Sequence, residues 1–226
     1  MSINLTLGHT QLIRNECALR GLTRQQTAYV LATAFWEGGR KMVPVEENLR
    51  YTAERIRQVW PTRFASVAEA RPYANNPQGL ANKVYGGRMG NIHANDGWTY
   101  RGRGHVQITG RASYERAQVE MGHPFITRPE LALDPEAAAH ILVVGMERGW
   151  FTGKRLADYI GATVDYHGAR RIVNGTDRAD EIASLARQYE TALSVQPEPV
   201  RPPKPAPAQS IWITLGQLFA RIFKGA

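Results

Sequence analysis

The sequence contains very little cysteine and no clustered metal ligands. Cys17 is the single cysteine in 226 residues, so it cannot form an internal disulfide. The six histidines are scattered along the chain without the spacing of a metal site. We therefore expect Cys17 to pack as a small apolar side chain, and we expect neither a metal nor another cofactor.

A secretory signal pattern is also missing. Residues 1–16 have no basic region followed by a long apolar stretch, which such a signal needs. The sequence therefore predicts that the protein accumulates in the cytoplasm of the cell that makes it.

Negative charge is scarce relative to positive charge. The chain has 28 lysines and arginines against 20 acids, a net charge of +8, which favours a polyanionic partner such as nucleic acid, anionic lipid or a bacterial cell-wall polymer. Zinc-finger spacing, a basic leucine zipper and an aromatic RNA-binding signature are all absent. Gly102 and Gly104 are followed by Gln107 where a dinucleotide fingerprint needs a third glycine. Nucleic acids and dinucleotides are thus disfavoured as partners.

The composition changes near residue 196. Six prolines fall within residues 195–209, and a segment of this kind is extended and has no core. We interpret residues 196–209 as a linker that joins a domain, residues 1–195, to a C-terminal segment, residues 210–226.

The first 195 residues are mostly helical in pattern. Thr23 can cap a helix with Gln26 at the capping-box spacing, and Gly38 and Gly39 can end it. Further helical patterns occupy residues 53–64 (up to Pro61), 77–86, 112–122, 135–151, 155–163 and 180–195. The predicted fold class is mainly α.

One short segment predicts an extended element. In residues 105–109, Val106 and Ile108 alternate with the polar residues His105, Gln107 and Thr109, as expected for a half-buried strand. We expect these three polar side chains to share an exposed face.

The C-terminal segment has the pattern of an amphipathic helix. Residues 210–226 are too few to span a bilayer, and they place an apolar face opposite a cationic one. Such a helix is suited to an anionic membrane surface or lipopolysaccharide, although it can also dock on an apolar groove of the domain. The predicted membrane-interacting residues are Trp212, Phe219, Arg221, Phe223 and Lys224.

Three acids suggest glycosidic chemistry. Glu37 follows nine uncharged residues, 28–36, and partial burial there suits a proton donor, whereas Glu46 and Glu47 lie in a polar segment suited to an ionised carboxylate. Glycoside hydrolysis commonly needs one protonated carboxyl group and one ionised carboxylate. Spacing alone leaves open that these are solvated glutamates at a helix end.

Several motifs, read in order, resemble one family. They are AFWEGGRKMVPVEEN at 34–48, NLRYTAERIRQVWPTRF at 48–64, PQGLANKVYGGRMGN at 77–91, DGWTYRGRGHVQITGRASY at 96–114 and RRIVNGTD at 170–177. Together they are similar to glycoside hydrolase family 19, specifically to chitinase-like endolysins of bacteriophages and prophages. The resemblance covers roughly residues 5–195 and implies a lysozyme-like helical domain with a small β or extended element at the cleft.

The resemblance implies roles for individual residues. Glu37 matches the general acid, and Glu47 matches the second carboxylate, with Glu46 as a one-residue rival. Thr109 matches the residue that helps to hold the attacking water. Gln107, Tyr114 and Asn174 match polar positions of the sugar cleft, Arg103 and Arg170 are weaker matches, and Trp98 and Tyr100 lie where aromatic rings could stack on sugars.

The sequence departs from the family pattern at two positions. Trp36-Glu37-Gly38 stands in place of the usual His-Glu-Thr, which removes an orienting partner for the acid. Ser113 replaces an asparagine often found there, which leaves the sugar preference open.

The resemblance predicts a function and a setting. We expect a monomeric peptidoglycan-degrading endolysin that hydrolyses β-1,4 bonds with inversion, its carboxyl groups ~6.5–9.5 Å apart. It would stay in the host cytoplasm until a holin opens the inner membrane, and then act in the periplasm and cell wall. The alternatives are a chitinase, or a non-catalytic protein that disrupts walls or membranes through residues 210–226.

Overall fold

The computed structural model describes residues 3–195, and within them the chain is mainly helical. The α-helices are α1 (Thr10–Leu19), α2 (Arg24–Glu37), α3 (Ala53–Val59), α4 (Val67–Ala70), α5 (Pro77–Tyr85), α6 (Asp96–Thr99), α7 (Arg111–Met121), α8 (Pro135–Arg148), α9 (Leu156–Tyr159) and α10 (Ala179–Ser194). Short 3₁₀ turns occupy Arg71–Tyr73, Pro129–Leu133 and Gly168–Ile172. The mainly α fold class is confirmed.

The ends of helix α2 follow the predicted signals. The Thr23 hydroxyl accepts a hydrogen bond from the Gln26 backbone N–H at 3.2 Å, and the Gln26 side chain accepts one from the Thr23 N–H at 3.1 Å. This reciprocal capping box satisfies two N–H groups that a helix start leaves free. At the other end Gly38 follows Glu37 as the C-cap, so Glu37 is the last residue of the helix.

A two-stranded antiparallel sheet joins two distant parts of the chain. Strand β1 (Val45–Glu46) pairs with strand β2 (Arg103–Gly104), with Glu46 opposite Arg103. The prediction of an extended segment at residues 105–109 is wrong, because the strand lies at residues 103–104. Residues 105–107 form a turn, closed by hydrogen bonds in both directions between Arg103 and Ile108.

The turn also reverses the predicted exposure of His105. That side chain is fully buried instead of facing solvent beside Gln107 and Thr109. Gln107 has a φ of 50°, so the chain leaves the extended region there and the alternating pattern no longer predicts which side faces solvent.

The main hydrophobic core lies between helices α1, α2, α8 and α10, with α10 packed along α2. Met42, in the loop after α2, is fully buried in this core. Cys17 is also fully buried, and burial raises the pKa of its thiol to about 12, so it packs as an apolar group as predicted.

Two smaller clusters flank the sheet. One joins α3, α4 and α5 around Ile56, Phe64 and Leu80, and the other joins α7 and the start of α8 around Tyr114 and Phe125. The sheet and its turn therefore lie where these helical groups meet, since Val106 packs on the main core while Tyr100 and Ile108 belong to the α7 cluster.

None of the helices within residues 3–195 is long and apolar enough to cross a membrane. The predicted linker at 196–209 and the predicted amphipathic helix at 210–226, with its membrane-interacting residues, lie outside the described residues.

Candidate active site

Glu37 presents its carboxylate at the end of α2. The preceding Phe35 and Trp36 pack against the main core, which anchors the last turn of the helix. The Glu37 side chain is 23% exposed, so it is shielded on most sides yet accessible. It accepts a hydrogen bond from the Arg170 guanidinium, with 2.6 Å between Oε1 and Nη1.

Arg170 is a buried partner for Glu37. Its side chain is only 4% exposed and comes from the 3₁₀ turn Gly168–Ile172. Its Nε donates to the Asp177 backbone carbonyl at 3.0 Å, so the guanidinium is held from two directions. Arg170 therefore supplies an orienting contact for Glu37. Its burial places it behind the carboxylate and does not fit direct contact with a sugar.

Glu47 follows strand β1 and receives a donor on each oxygen. The Tyr85 hydroxyl donates to Oε1 at 2.5 Å, and the Gly102 backbone N–H donates to Oε2 at 3.2 Å. The Glu47 N–H in turn donates to the Gly102 carbonyl at 2.8 Å. The Tyr85 hydroxyl and the Gly102 backbone N–H are both neutral donors, so they orient the carboxylate without neutralising its charge.

Gly102 has no side chain, which lets Glu47 and Gln107 lie close to its Cα. A Cβ placed there would lie 3.0 Å from Gln107 Oε1 and 3.3 Å from Glu47 Cβ. A larger residue would push both side chains away, so Gly102 brings Glu47 and Gln107 together.

Glu46 has a different environment from its neighbour. Arg101 donates to its Oε1 at 2.5 Å and Arg103 donates to its Oε2 at 2.6 Å. Partial burial alone would raise the pKa of Glu46, but the hydrogen bonds from these two guanidinium groups hold it below its usual range. Both oxygens of Glu46 are therefore engaged by cations, which favours a structural role and leaves Glu47 as the better candidate for the second carboxylate.

Thr109 lies at the end of the turn beside Gln107. Its hydroxyl donates to the Gln107 backbone carbonyl at 2.9 Å, and its own carbonyl accepts from the Ser113 hydroxyl at 2.9 Å. Ser113 thus has a local role in fixing the first turn of α7. Gly110, with a φ of 83°, follows directly, and a Cβ there would lie 2.4 Å from Met89 Cβ.

Three predicted sugar contacts are buried. Tyr114 is fully buried, Tyr100 is 2% exposed and Arg103 is 4% exposed. The Tyr114 hydroxyl donates to the Arg101 carbonyl at 2.7 Å and accepts from Arg103 Nη1 at 3.0 Å, and burial raises the pKa of Tyr114 to about 12. These buried side chains offer almost no surface to a sugar, which corrects the expectation of direct sugar contact.

The remaining predicted contacts are accessible. Trp98 is half-buried, with the Arg101 guanidinium stacked 3.7 Å from its ring centroid. Asn174 is exposed on the turn after Arg170, where its N–H donates to the Arg170 carbonyl at 3.1 Å. Gln107 is half-buried beside Glu47.

Tyr85 is the residue that sequence reasoning misjudged. As an aromatic residue beside the sugar-cleft motifs it suggests only a ring for stacking on sugars, whereas its hydroxyl contacts a carboxylate 38 positions earlier in the chain. Its place in the segment PQGLANKVYGGRMGN carries no signal for that contact.

No group of three or more His, Cys, Asp or Glu residues within the described part of the chain is placed to hold a metal ion. The groups that the site itself offers are the carboxylates, hydroxyls and amides named above. A mainly helical domain that positions two carboxylates in different environments is typical of acid–base hydrolases of glycosidic bonds.

A comparison with known proteins agrees with this class. The chain is 36% identical over 95 residues to a glycosyl hydrolase family 19 domain-containing protein of Haemophilus influenzae. The aligned part is 41% of this chain and spans 47% of that protein, less than half its length. No protein-family model matches the chain. This partial similarity is to a glycosyl hydrolase family 19 domain, and it agrees with the family that the sequence motifs resemble.

Proposed function

We propose that this protein hydrolyses β-1,4 glycosidic bonds of peptidoglycan by inverting acid–base catalysis. The observation that carries the proposal is the contrast between two carboxylates. Glu37 is 23% exposed and paired with a buried guanidinium, whereas Glu47 is held by a hydroxyl and a backbone N–H. The two carboxylates thus have different partners, and we assign the acid role to Glu37 and the base role to Glu47.

In the proposed mechanism, Glu37 protonates the glycosidic oxygen. The entering glycan excludes water from this partly exposed carboxyl group. Arg170 fixes the orientation of that group and contacts the carboxylate left after the proton is transferred.

Glu47 acts as the general base. Its donors Tyr85 and Gly102 fix the plane of the carboxylate, which removes a proton from a water molecule held by Thr109. The Thr109 hydroxyl is a donor and an acceptor, so it can turn from the Gln107 carbonyl to that water. Attack on the face opposite the leaving group inverts the anomeric carbon.

The proposed substrate and setting follow from charge and from the partial similarity. A chain with a net charge of +8 suits the anionic bacterial wall. We propose an endolysin-type role in which the enzyme acts as a monomer on glycan strands after a separate membrane-permeabilising protein has given it access. A chitinase acting on N-acetylglucosamine polymers is the second candidate, because the relative's family name does not fix the substrate.

The first experiment measures soluble muropeptide release from purified Gram-negative peptidoglycan by the wild type and by Glu37→Gln and Glu47→Gln. Because each variant keeps the shape of the side chain but loses its acid or base function, we expect release to fall at least roughly 100-fold in both. Glu130→Gln, at an exposed ion pair with Arg128, is the matched control and should keep wild-type activity.

Product analysis separates the remaining alternatives. Mass spectrometry of the new reducing ends names the bond that is cut, and NMR of fresh product shows whether the anomeric carbon is inverted. Hydrolysis of chitin oligomers with no action on peptidoglycan would replace the proposed substrate by chitin. Full activity of Glu37→Gln would refute the assigned acid.

A further inference from the structure

Tyr85 is held rigidly against Glu47. It is the last residue of α5, its ring borders the α3–α5 hydrophobic cluster, and its backbone carbonyl accepts from the Asn91 side chain at 2.9 Å. The hydroxyl therefore has a fixed position when it donates to Glu47 Oε1 at 2.5 Å.

The electrostatic environment keeps this hydroxyl protonated. Burial, and then the adjacent Glu47 carboxylate and the hydrogen bond to it, raise the pKa of Tyr85 far above its usual value. Tyr85 is thus a permanent neutral donor over the working pH range. A donor that cannot lose its proton bonds most strongly to an ionised carboxylate, so it favours that form of its acceptor.

We propose that Tyr85 is a positioning residue that keeps Glu47 ionised and correctly turned, and thereby sets the acidic limb of the pH–activity profile. The inference rests on the proposed function, in which Glu47 is the base. Tyr85 touches neither the water nor the glycan in this role; it acts through Glu47, together with the Gly102 N–H on the other carboxylate oxygen.

The direction of the effect follows from the hydrogen bond. Removing the hydroxyl destabilises the ionised form of Glu47. Activity is therefore lost at a higher pH when the solution is acidified. A hydrogen bond to a charged group of ordinary strength corresponds to a shift of about one pH unit. The orientation of the base is also loosened, so we expect kcat to fall roughly tenfold, while KM changes little because no sugar contact is removed.

The experiment compares Tyr85→Phe with Tyr73→Phe. Tyr73 borders the same hydrophobic cluster and stacks edge-on against Phe64, so its variant is a matched removal of one hydroxyl away from Glu47. We expect an upward shift of the acidic limb of kcat/KM and a lower kcat only in Tyr85→Phe. A wild-type pH profile in Tyr85→Phe overturns the proposal.

A second measurement does not depend on activity or on the folding of Tyr85→Phe. In protein labelled with ¹³C at the tyrosine Cζ position, the Tyr85 signal should move as the pH is lowered from neutral to mildly acidic values in the wild type and stay fixed in Glu47→Gln. The same pH response in both proteins overturns the coupling of Tyr85 to Glu47. A wild type that shows the coupling but hydrolyses neither peptidoglycan nor chitin oligomers refutes the proposed function and leaves the contact itself established.

Discussion

At the scale of single residues, one histidine is buried without hydrogen-bond partners for its ring nitrogens in the described part of the chain. His105 is fully buried, and neither of its ring nitrogens has a hydrogen-bond partner among residues 3–195. Its ring lies edge-on to His9, with 5.7 Å between the centroids. Burial, and secondarily the nearby His9, lower the pKa of His105 to about 4.

This residue predicts a loss of stability in mild acid. In the unfolded chain a histidine takes up a proton near pH 6.5, whereas the folded state resists protonation of His105 down to about pH 4. The unfolded state therefore binds more protons in this window, and stability falls as the pH drops from about 6.5 to about 4. By pH 5 the loss is about 2 kcal/mol.

Urea unfolding at pH 7 and pH 5 measures this effect. His105→Phe should lose about 2 kcal/mol less than the wild type between these two pH values, because it has no proton to take up when it unfolds. His123→Phe, which replaces an exposed histidine by the same residue, is the control. An equal loss in the wild type and His105→Phe would contradict the prediction.

At the scale of elements, the two-residue strands β1 and β2 are joined by side-chain contacts as well as by backbone pairing. The backbone pairing is short, and Glu46 adds contacts to both Arg101 and Arg103 on the partner segment. Arg103 is nearly buried, so it depends on Glu46 for its counter-charge. The sheet in turn fixes the neighbouring Glu47 against Gly102.

Glu46→Gln tests this dependence. Because Arg103 would lose its charged partner, we expect the free energy of unfolding to fall by about 1–2 kcal/mol, with activity reduced but not abolished. Chemical denaturation and muropeptide release measure the two effects, with Glu130→Gln as the exposed control. Activity as low as that of Glu47→Gln would instead make Glu46 the second carboxylate.

At the scale of the whole molecule, the sequence pattern of residues 210–226 adds a second proposed contact with the bacterial envelope. The apolar face containing Trp212, Phe219 and Phe223 lies opposite Arg221 and Lys224 on a helical wheel. We propose that this segment binds anionic lipid, while residues 3–195 carry the proposed hydrolysis.

Deletion of residues 196–226 separates the two contributions. We expect the shortened protein to keep its activity on purified peptidoglycan and to lose most of its binding to vesicles that contain anionic lipid, because the proposed site lies wholly in the deleted part. Sedimentation with anionic and with neutral vesicles measures the binding. Equal binding by both proteins would refute the membrane role, and lost hydrolysis would favour docking of the segment on the domain.

The sequence by itself determined the local structure of this protein. The capping box at Thr23, the glycine stop after Glu37 and the helical patterns from residue 77 to residue 195 predicted most of the helices, because these signals act between residues a few positions apart. The same local signals failed at the turn of residues 105–107, where tertiary pairing of Arg103 with Ile108 overrides the alternating pattern.

Only the tertiary structure decided how the carboxylates are supported. Arg170 reaches Glu37 across 133 positions, and Tyr85 reaches Glu47 across 38. Glu46 and Glu47 look alike in sequence and differ only because packing brings two guanidinium groups to one and neutral donors to the other. Contacts of this kind depend on how helices and strands pack in three dimensions, which neither spacing nor composition specifies.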